Sequence, residues 1–199
     1  MIARWNIVPD PRFAELQGAL HERLGAIGNS IQPHNFSSLL DPLARDVLQR
    51  GFAEAGAHEG TIWLLDNDGK HLVPACNTGP DADKMVGKFR QPLSSGLICM
   101  VFASEQPIVE NEVYKNVRLC KALDEMLQVE TYALIAAPFH FLKACRGVIS
   151  CVQLKRPGTK DRDLPGFEFG HLTAIQRAAA LLAQLIELRV LGSAVGWSS

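Results

Sequence analysis

The sequence lacks a C-x-x-C pair, a glycine-rich phosphate loop, a long apolar run and an excess of charge of either sign. Each absence removes a class of protein. With 20 basic and 21 acidic residues in 199, no polyanion-binding surface is expected, and nucleic acid is not an expected partner. No apolar stretch approaches the roughly eighteen residues of a membrane span. The N-terminal MIARWNIVPDPRF has no continuous apolar core of a secretory signal. Five cysteines, an odd number without paired spacing, argue for reduced thiols and a cytoplasmic location rather than a disulfide scaffold. There is no internal repeat and no low-complexity tract. No Ser/His/Asp order and no carboxylate pair points to a hydrolase. What is present is a 47% hydrophobic composition, enough for one cored domain with extensions.

Apolar residues Phe13, Leu16, Leu20, Leu24 and Ile27 step by three or four and predict a helix ending near Gly28-Asn29. DPLARDVLQRGFAEAG is a second helix, capped by Asp41, with Pro42 at its first position and Gly51 and Gly56 weakening its far end. GTIWLLD and KHLVPACNT are extended runs around Asn67-Asp68-Gly69, a hairpin signal. VGKFRQPL reads as a short edge strand, since Pro92 cannot donate to a ladder. A helix over 94–104 follows, stopped by Pro107, and Ile108-Val109 begin another short strand. Residues 114–129 read as a loop with helical turns. YALIAAPFHF and RGVISCVQLK are strands joined at Leu142-Lys143-Ala144, and RPGTKDRDLPG is a loop. The last helix, about 167–191, carries two apolar stripes. One is Leu172, Ile175, Ala179, Leu182, Ile186 and Val190; the other is Ala174, Ala178, Leu181, Leu185 and Leu188. Two stripes imply two neighbours, either in a fully buried helix or in a bundle with the N-terminal helix and a partner subunit. Hairpins flanked by helices place the chain in the α+β class.

In this order, four segments resemble a GAF domain: GTIWLLDNDGKHLVPAC, PLSSGLICMVFASEQPIVENEV, ALIAAPFHFLKACRGVISCVQL and FEFGHLTAIQRAAALLAQLIELRVL. The resemblance covers residues 36–191, leaving 1–35 as a helical extension and 192–199 as a tail. It implies a GAF-like (profilin-like) antiparallel sheet of five to six strands. The N- and C-terminal helices would pack on one face, with a ligand pocket under a helix and loop on the other. It also implies a sensory role, signalling through a homodimer to an output domain or a separate protein. Where cyclic-nucleotide-binding members carry Asn-Lys, Phe and Asp-Glu, this chain has Leu154-Lys155, Phe167 and His171-Leu172, so no cyclic nucleotide is expected. No cysteine has an adjacent histidine, so no covalent bilin is expected either. Haem or iron held by distant histidines stays open.

In this frame the pocket walls are expected to be Trp63 and Cys76 from the first hairpin and Tyr132 and Ala136 from the central strand. Ser95, Gly96, Cys99 and Phe102 would come from the 94–104 helix, and Tyr114, Leu119 and Met126 from the lid. Free N–H groups at the helix start suit an anionic or carbonyl group. The aromatic and sulfur-bearing walls suit a hydrophobic or aromatic ligand bound non-covalently. Cys99 and Phe102 are equally compatible with plain core. His140 and Cys145 flank the second hairpin's turn and can approach each other, but two ligands make no metal site. Two alternatives stand beside the receptor. One is a free methionine sulfoxide reductase-like thiol enzyme using Cys99 and Cys120, against which the central strand supplies no acidic residue. The other is a ligand-free dimerisation module.

Overall fold

The computed structural model describes residues 11–155 and 164–197. The start of the N-terminal extension, most of the RPGTKDRDLPG loop and the last two tail residues lie outside the described residues. Six strands form one antiparallel sheet: β1 (Glu59–Leu65), β2 (His71–Asn77), β3 (Gln91–Pro92), β4 (Ile108–Asn111), β5 (Glu130–Phe141) and β6 (Ala144–Lys155), in the order β3-β2-β1-β6-β5-β4. Helices α1 (Gln17–Ser30), α2 (Pro42–Glu54) and α6 (Phe169–Ala194) belong to one face. Helices α3 (Ala82–Met85), α4 (Leu97–Ser104) and α5 (Ala122–Leu127) and their loops cover the other. The α+β, GAF-like arrangement expected from the sequence is therefore the one observed. No helix among the described residues is long and apolar enough to cross a membrane.

Local chemistry explains the element ends. Asp41 accepts a hydrogen bond from the Ala44 N–H at 2.8 Å and caps α2, whose first residue is Pro42. At the start of α6, Glu168 and His171 bond each other's backbone N–H groups in a capping box. Two ends differ from expectation. The N-terminal helix runs on to Ser30, and Arg146 packs over its buried Gly28, Nη1 donating to the Gly28 carbonyl of the last turn at 2.8 Å. The last helix continues to Ala194, three residues past Leu191, and stops where Gly196 takes a positive φ.

Gly51, whatever its cost in helix propensity, lets α2 approach α6. A Cβ at Gly51 would lie 2.5 Å from the Cβ of Ala178, an atom fixed on the facing helix. Gly51→Ala should therefore destabilise the protein, because overpacking costs about 1–3 kcal/mol against a helix-propensity gain of about 1 kcal/mol. Ala178→Gly added to it should restore part of the loss, giving a favourable coupling in a urea-unfolding cycle. A more stable single variant would contradict this packing.

The helix-side core holds Leu48, Phe52, Ile62, Ile135, Phe139, Phe141, Ile149 and the first α6 stripe, from Leu172 to Val190. The second stripe divides. Ala174 and Ala178 are buried and Leu185 is half-buried, whereas Leu181 and Leu188 are 46% and 66% exposed. On the opposite face, Trp63, Leu72, Met85, Leu97, Leu134 and Val148 form a second core under α4 and α5.

Candidate functional site

Inside this second core lies a cavity of about 80 Å³. Its floor comes from alternate residues of two strands, Glu59, Thr61 and Trp63 on β1 and Ser150, Val152 and Leu154 on β6, and from Thr131 and Leu134 on β5, which lie either side of a register shift. Alternation is what places 59, 61 and 63 on one face. Gly96, Leu97 and Ile98 close one end, Gln91 and Met85 a second, and Leu119, Cys120, Leu123, Asp124 and Leu127 form the lid. The lid is thin: Leu119, Asp124 and Val129 also line an open cleft of about 690 Å³ on its outer side.

The floor is polar. Trp63 Nε1 donates to Ser150 Oγ at 2.9 Å. The Asp124 carboxylate accepts from the Thr131 N–H and hydroxyl, both at 2.8 Å, and so pins α5 to the start of β5. Asn77 donates to Thr61 Oγ1 at 2.9 Å, and Gln91 donates to the Ser95 carbonyl at 3.0 Å. Burial raises the pKa of Glu59, against a hydrogen bond from Asn77 that lowers it, and nearby Asp81 raises it further. Burial likewise raises that of Asp124, outweighing the Thr131 bonds. Two carboxyl groups of reduced solvation thus border one small chamber.

Of the residues expected at the pocket, Trp63, Gly96, Leu119 and the thiol candidate Cys120 border the chamber. Gly96, at φ 93° and ψ 152°, is the N-cap of α4. A side chain there is strained, so the chain enters the helix through Gly96 rather than through a serine cap. Ser95 and Cys99 line an outer cleft with Met100 and Arg118, and this cleft shares Gly96, Leu119 and Cys120 with the chamber. Ala136 and Phe102 pack in the surrounding core without reaching the chamber. Met126 is 43% exposed on the lid.

Three placements correct the sequence reading. Cys76, Tyr114 and Tyr132 pack against the helix-side core, not the chamber. A register shift between Ile62 and Trp63 pairs Cys76 with Ile62, so Cys76 shares the face opposite to Trp63. A second shift between Thr131 and Ala133 turns Tyr132 across the sheet. Tyr114 follows and stacks on it, with ring centroids 6.0 Å apart. The chamber wall is mostly apolar, with Trp63, Met85, Leu97, Leu123, Leu127 and Leu134 in it, but Glu59, Thr61, Gln91, Asp124, Thr131 and Ser150 also line it, and none of these is expected there from the sequence. The acidic groups come from β1 and α5 rather than from β5, which lies beside the edge strand β4 and not at the centre of the sheet as expected. Among the described residues no histidine borders the chamber.

Cys99 is buried, and its thiol donates to the Pro92 carbonyl with sulfur 3.2 Å from oxygen. Burial pushes its pKa up to about 11, with a smaller contribution from nearby Cys120. At neutral pH it is a thiol, not a thiolate. Iodoacetamide at pH 7.5 should therefore label half-buried Cys120 well before Cys99 or buried Cys151, as followed by peptide mass spectrometry. Equal or faster labelling of Cys99 would contradict its burial.

No protein-family model matches the sequence. No curated protein matches it either. Solved structures do match. The GAF domain of a phosphoenolpyruvate-protein phosphotransferase from Coxiella burnetii is 17% identical, covering 89% of this chain and 95% of its own, with a TM-score of 0.59. A GAF domain/HD domain protein from Geobacter sulfurreducens is 16% identical, covering 77% and 96%, with a TM-score of 0.58. A type II free methionine-R-sulfoxide reductase from Thermoplasma acidophilum is 16% identical, covering 73% and 96%, with a TM-score of 0.50. With these likenesses, a six-stranded antiparallel sheet, terminal helices on one face and a lidded chamber on the other, the chain has a GAF-like fold.

Proposed function

We propose that the chain is a sensory GAF-type domain whose chamber takes a small, hydrogen-bond-donating ligand, a primary amine by preference, without covalent attachment. The observation that carries this reading is the pair Glu59 and Asp124, two carboxyl groups with pKa raised by burial and bordering one small chamber. A cationic donor compensates both at once, which a hydrophobic ligand does not. A water needs roughly 10–15 Å³ of such space, so about 80 Å³ suits a ligand of only a few non-hydrogen atoms. A larger ligand requires α5 to lift toward the outer cleft.

Differential scanning fluorimetry with methylammonium and ethanolamine, with acetate as an anionic control, tests this. The unfolding midpoint should climb with amine concentration, as mass action requires, and Glu59→Gln should abolish the shift. An amine-independent midpoint, or an undiminished shift in Glu59→Gln, would favour a ligand-free dimerisation module.

The reading includes a homodimer that passes the signal to an output domain or a separate protein. Support comes from exposed Leu181 and Leu188 on α6. They lie on the helix whose other stripe is buried, beside a groove shared by Leu24, Leu142 and Leu191. Analytical ultracentrifugation should report a dimer, and Leu188→Glu should shift it to monomer by placing charge in an apolar contact. A wild-type monomer would remove this part of the reading.

One arrangement favours a second reading, reduction of free methionine sulfoxide. Cys120 borders the chamber, and the chamber holds carboxyl groups able to receive an amino group. The protonated state of Cys99 weighs against it. A thiol-coupled assay that shows sulfoxide loss, abolished by Cys120→Ser, would establish the enzyme.

A further inference from the structure

Away from the chamber, the far end of α4 meets the second hairpin. Glu105 ends α4 in the left-handed region, at φ 53° and ψ 25°. Its Oε2 lies 2.8 Å from Nε2 of His140 on β5. Directly across the ladder, His140 pairs with Cys145 on β6, beside a register shift between Phe139 and His140. Because Phe139 and Phe141 point into the helix-side core, alternation turns His140 to the α4 face. The ligand atoms of Glu105, His140 and Cys145 all lie within 4.8 Å of one another.

We propose that Glu105, His140 and Cys145 form a binding site for a borderline divalent metal ion, Zn2+ foremost, with one coordination position left open. The donor set is one carboxylate oxygen, one imidazole nitrogen and one sulfur, which suits zinc better than magnesium or calcium. Tetrahedral zinc with bonds of about 2.0–2.3 Å places its ligands roughly 3.3–3.6 Å apart. Small side-chain rotations of the existing cluster reach that spacing. The cluster is rimmed by solvent, with the His140 and Glu105 side chains 47% and 56% exposed, so an ion has a path in and a water or ligand a place on it. The site also lies at the C-terminus of α4, where the helix dipole favours a cation. On binding, the thiol releases its proton to solvent, and the imidazole exchanges its contact with Glu105 for the metal.

The site has a structural consequence. It ties α4, whose first residues close the chamber, to the hairpin whose Leu142 N–H donates to Glu187 of α6 at 2.7 Å. Metal occupancy therefore links the chamber wall to the helix layer.

Cobalt titration of the full chain, purified metal-free under reducing conditions, is the test. One Co2+ per chain should bind with tetrahedral d–d bands and a thiolate-to-metal charge-transfer band, both bleached by one equivalent of Zn2+. Cys145→Ser should lose the charge-transfer band, while Cys120→Ser keeps it. His140→Ala and Glu105→Gln should each weaken binding roughly tenfold or more. Circular dichroism of each variant confirms that it is folded, and the exposed residues Glu105 and His140 keep the test independent of the core. Absence of stoichiometric binding, or a charge-transfer band that survives Cys145→Ser or disappears in Cys120→Ser, would overturn the proposal.

Discussion

Phe139→Ala is expected to lower the unfolding free energy by about 3–5 kcal/mol, a large share of the roughly 5–15 kcal/mol of a typical domain. Phe139 is fully buried on β5. Its ring lies 6.3 Å from Phe36 in an edge-to-face arrangement and 5.1 Å from Phe141. Phe36 sits in the short 3-10 turn that leads into α2. The trio therefore holds the start of α2 against β5, and truncation opens a hole between two layers that cannot both collapse into it. Phe139→Leu keeps most of the volume and should cost about 1–2 kcal/mol. Urea unfolding followed by circular dichroism measures both. A loss below about 1 kcal/mol for the alanine variant would mean that the two layers do not depend on this contact.

The second large effect concerns pH. Glu59 has a folded pKa raised above its ordinary value by burial. A carboxyl group of this kind favours the folded state when protonated, and that contribution is lost as pH rises through the folded pKa. At pH 7 the native protein therefore holds a poorly solvated carboxylate at a cost. Glu59→Gln should raise the thermal midpoint at pH 7, and the advantage should vanish below about pH 4, where the unfolded carboxyl group is protonated as well. The same substitution is expected to abolish amine binding. A variant both more stable and unable to bind is the signature of a group retained for a ligand rather than for the fold. Equal stability of Glu59→Gln and wild type across this range would show that Glu59 is fully solvated.

The fold is largely legible in the sequence because its signals are local. Asp41-Pro42 marks the start of α2, Asn67-Asp68-Gly69 the first turn, and Pro92 the edge strand. Alternating residues of β5 and β6 supply the sheet. The site is much less legible, chiefly because of two irregularities that residue types do not announce. Plain alternation counted back from Ala136 puts Tyr132 on the chamber face, and an unshifted first hairpin pairs Cys76 with Thr61. Each register shift inserts one residue and reverses the facing of the residues beyond it. Tyr132 and Cys76 thereby exchange the chamber for the helix-side core, and Thr131 takes the place expected of Tyr132. Glu59 shares β1's face with Thr61 and Trp63, but the extended run shows itself in the sequence only from Gly60. Asp124 is hidden in a polar segment where nothing in KALDEMLQV distinguishes it from Glu125. Glu105 lies 35 residues from His140, a separation that no local pattern bridges, so the third member of the His140–Cys145 cluster emerges only with the tertiary fold.

In the proposed receptor, Glu59 and Asp124 together receive a cationic donor in one chamber. Carbon-13 NMR titration of the side-chain carboxyl groups, with and without ethanolamine, tests it most directly. In the free protein both groups should titrate above the ordinary carboxylate range, and both should shift downward when the amine binds. Ordinary values in the free protein, unmoved by saturating amine, would mean that the two carboxyl groups form no amine site.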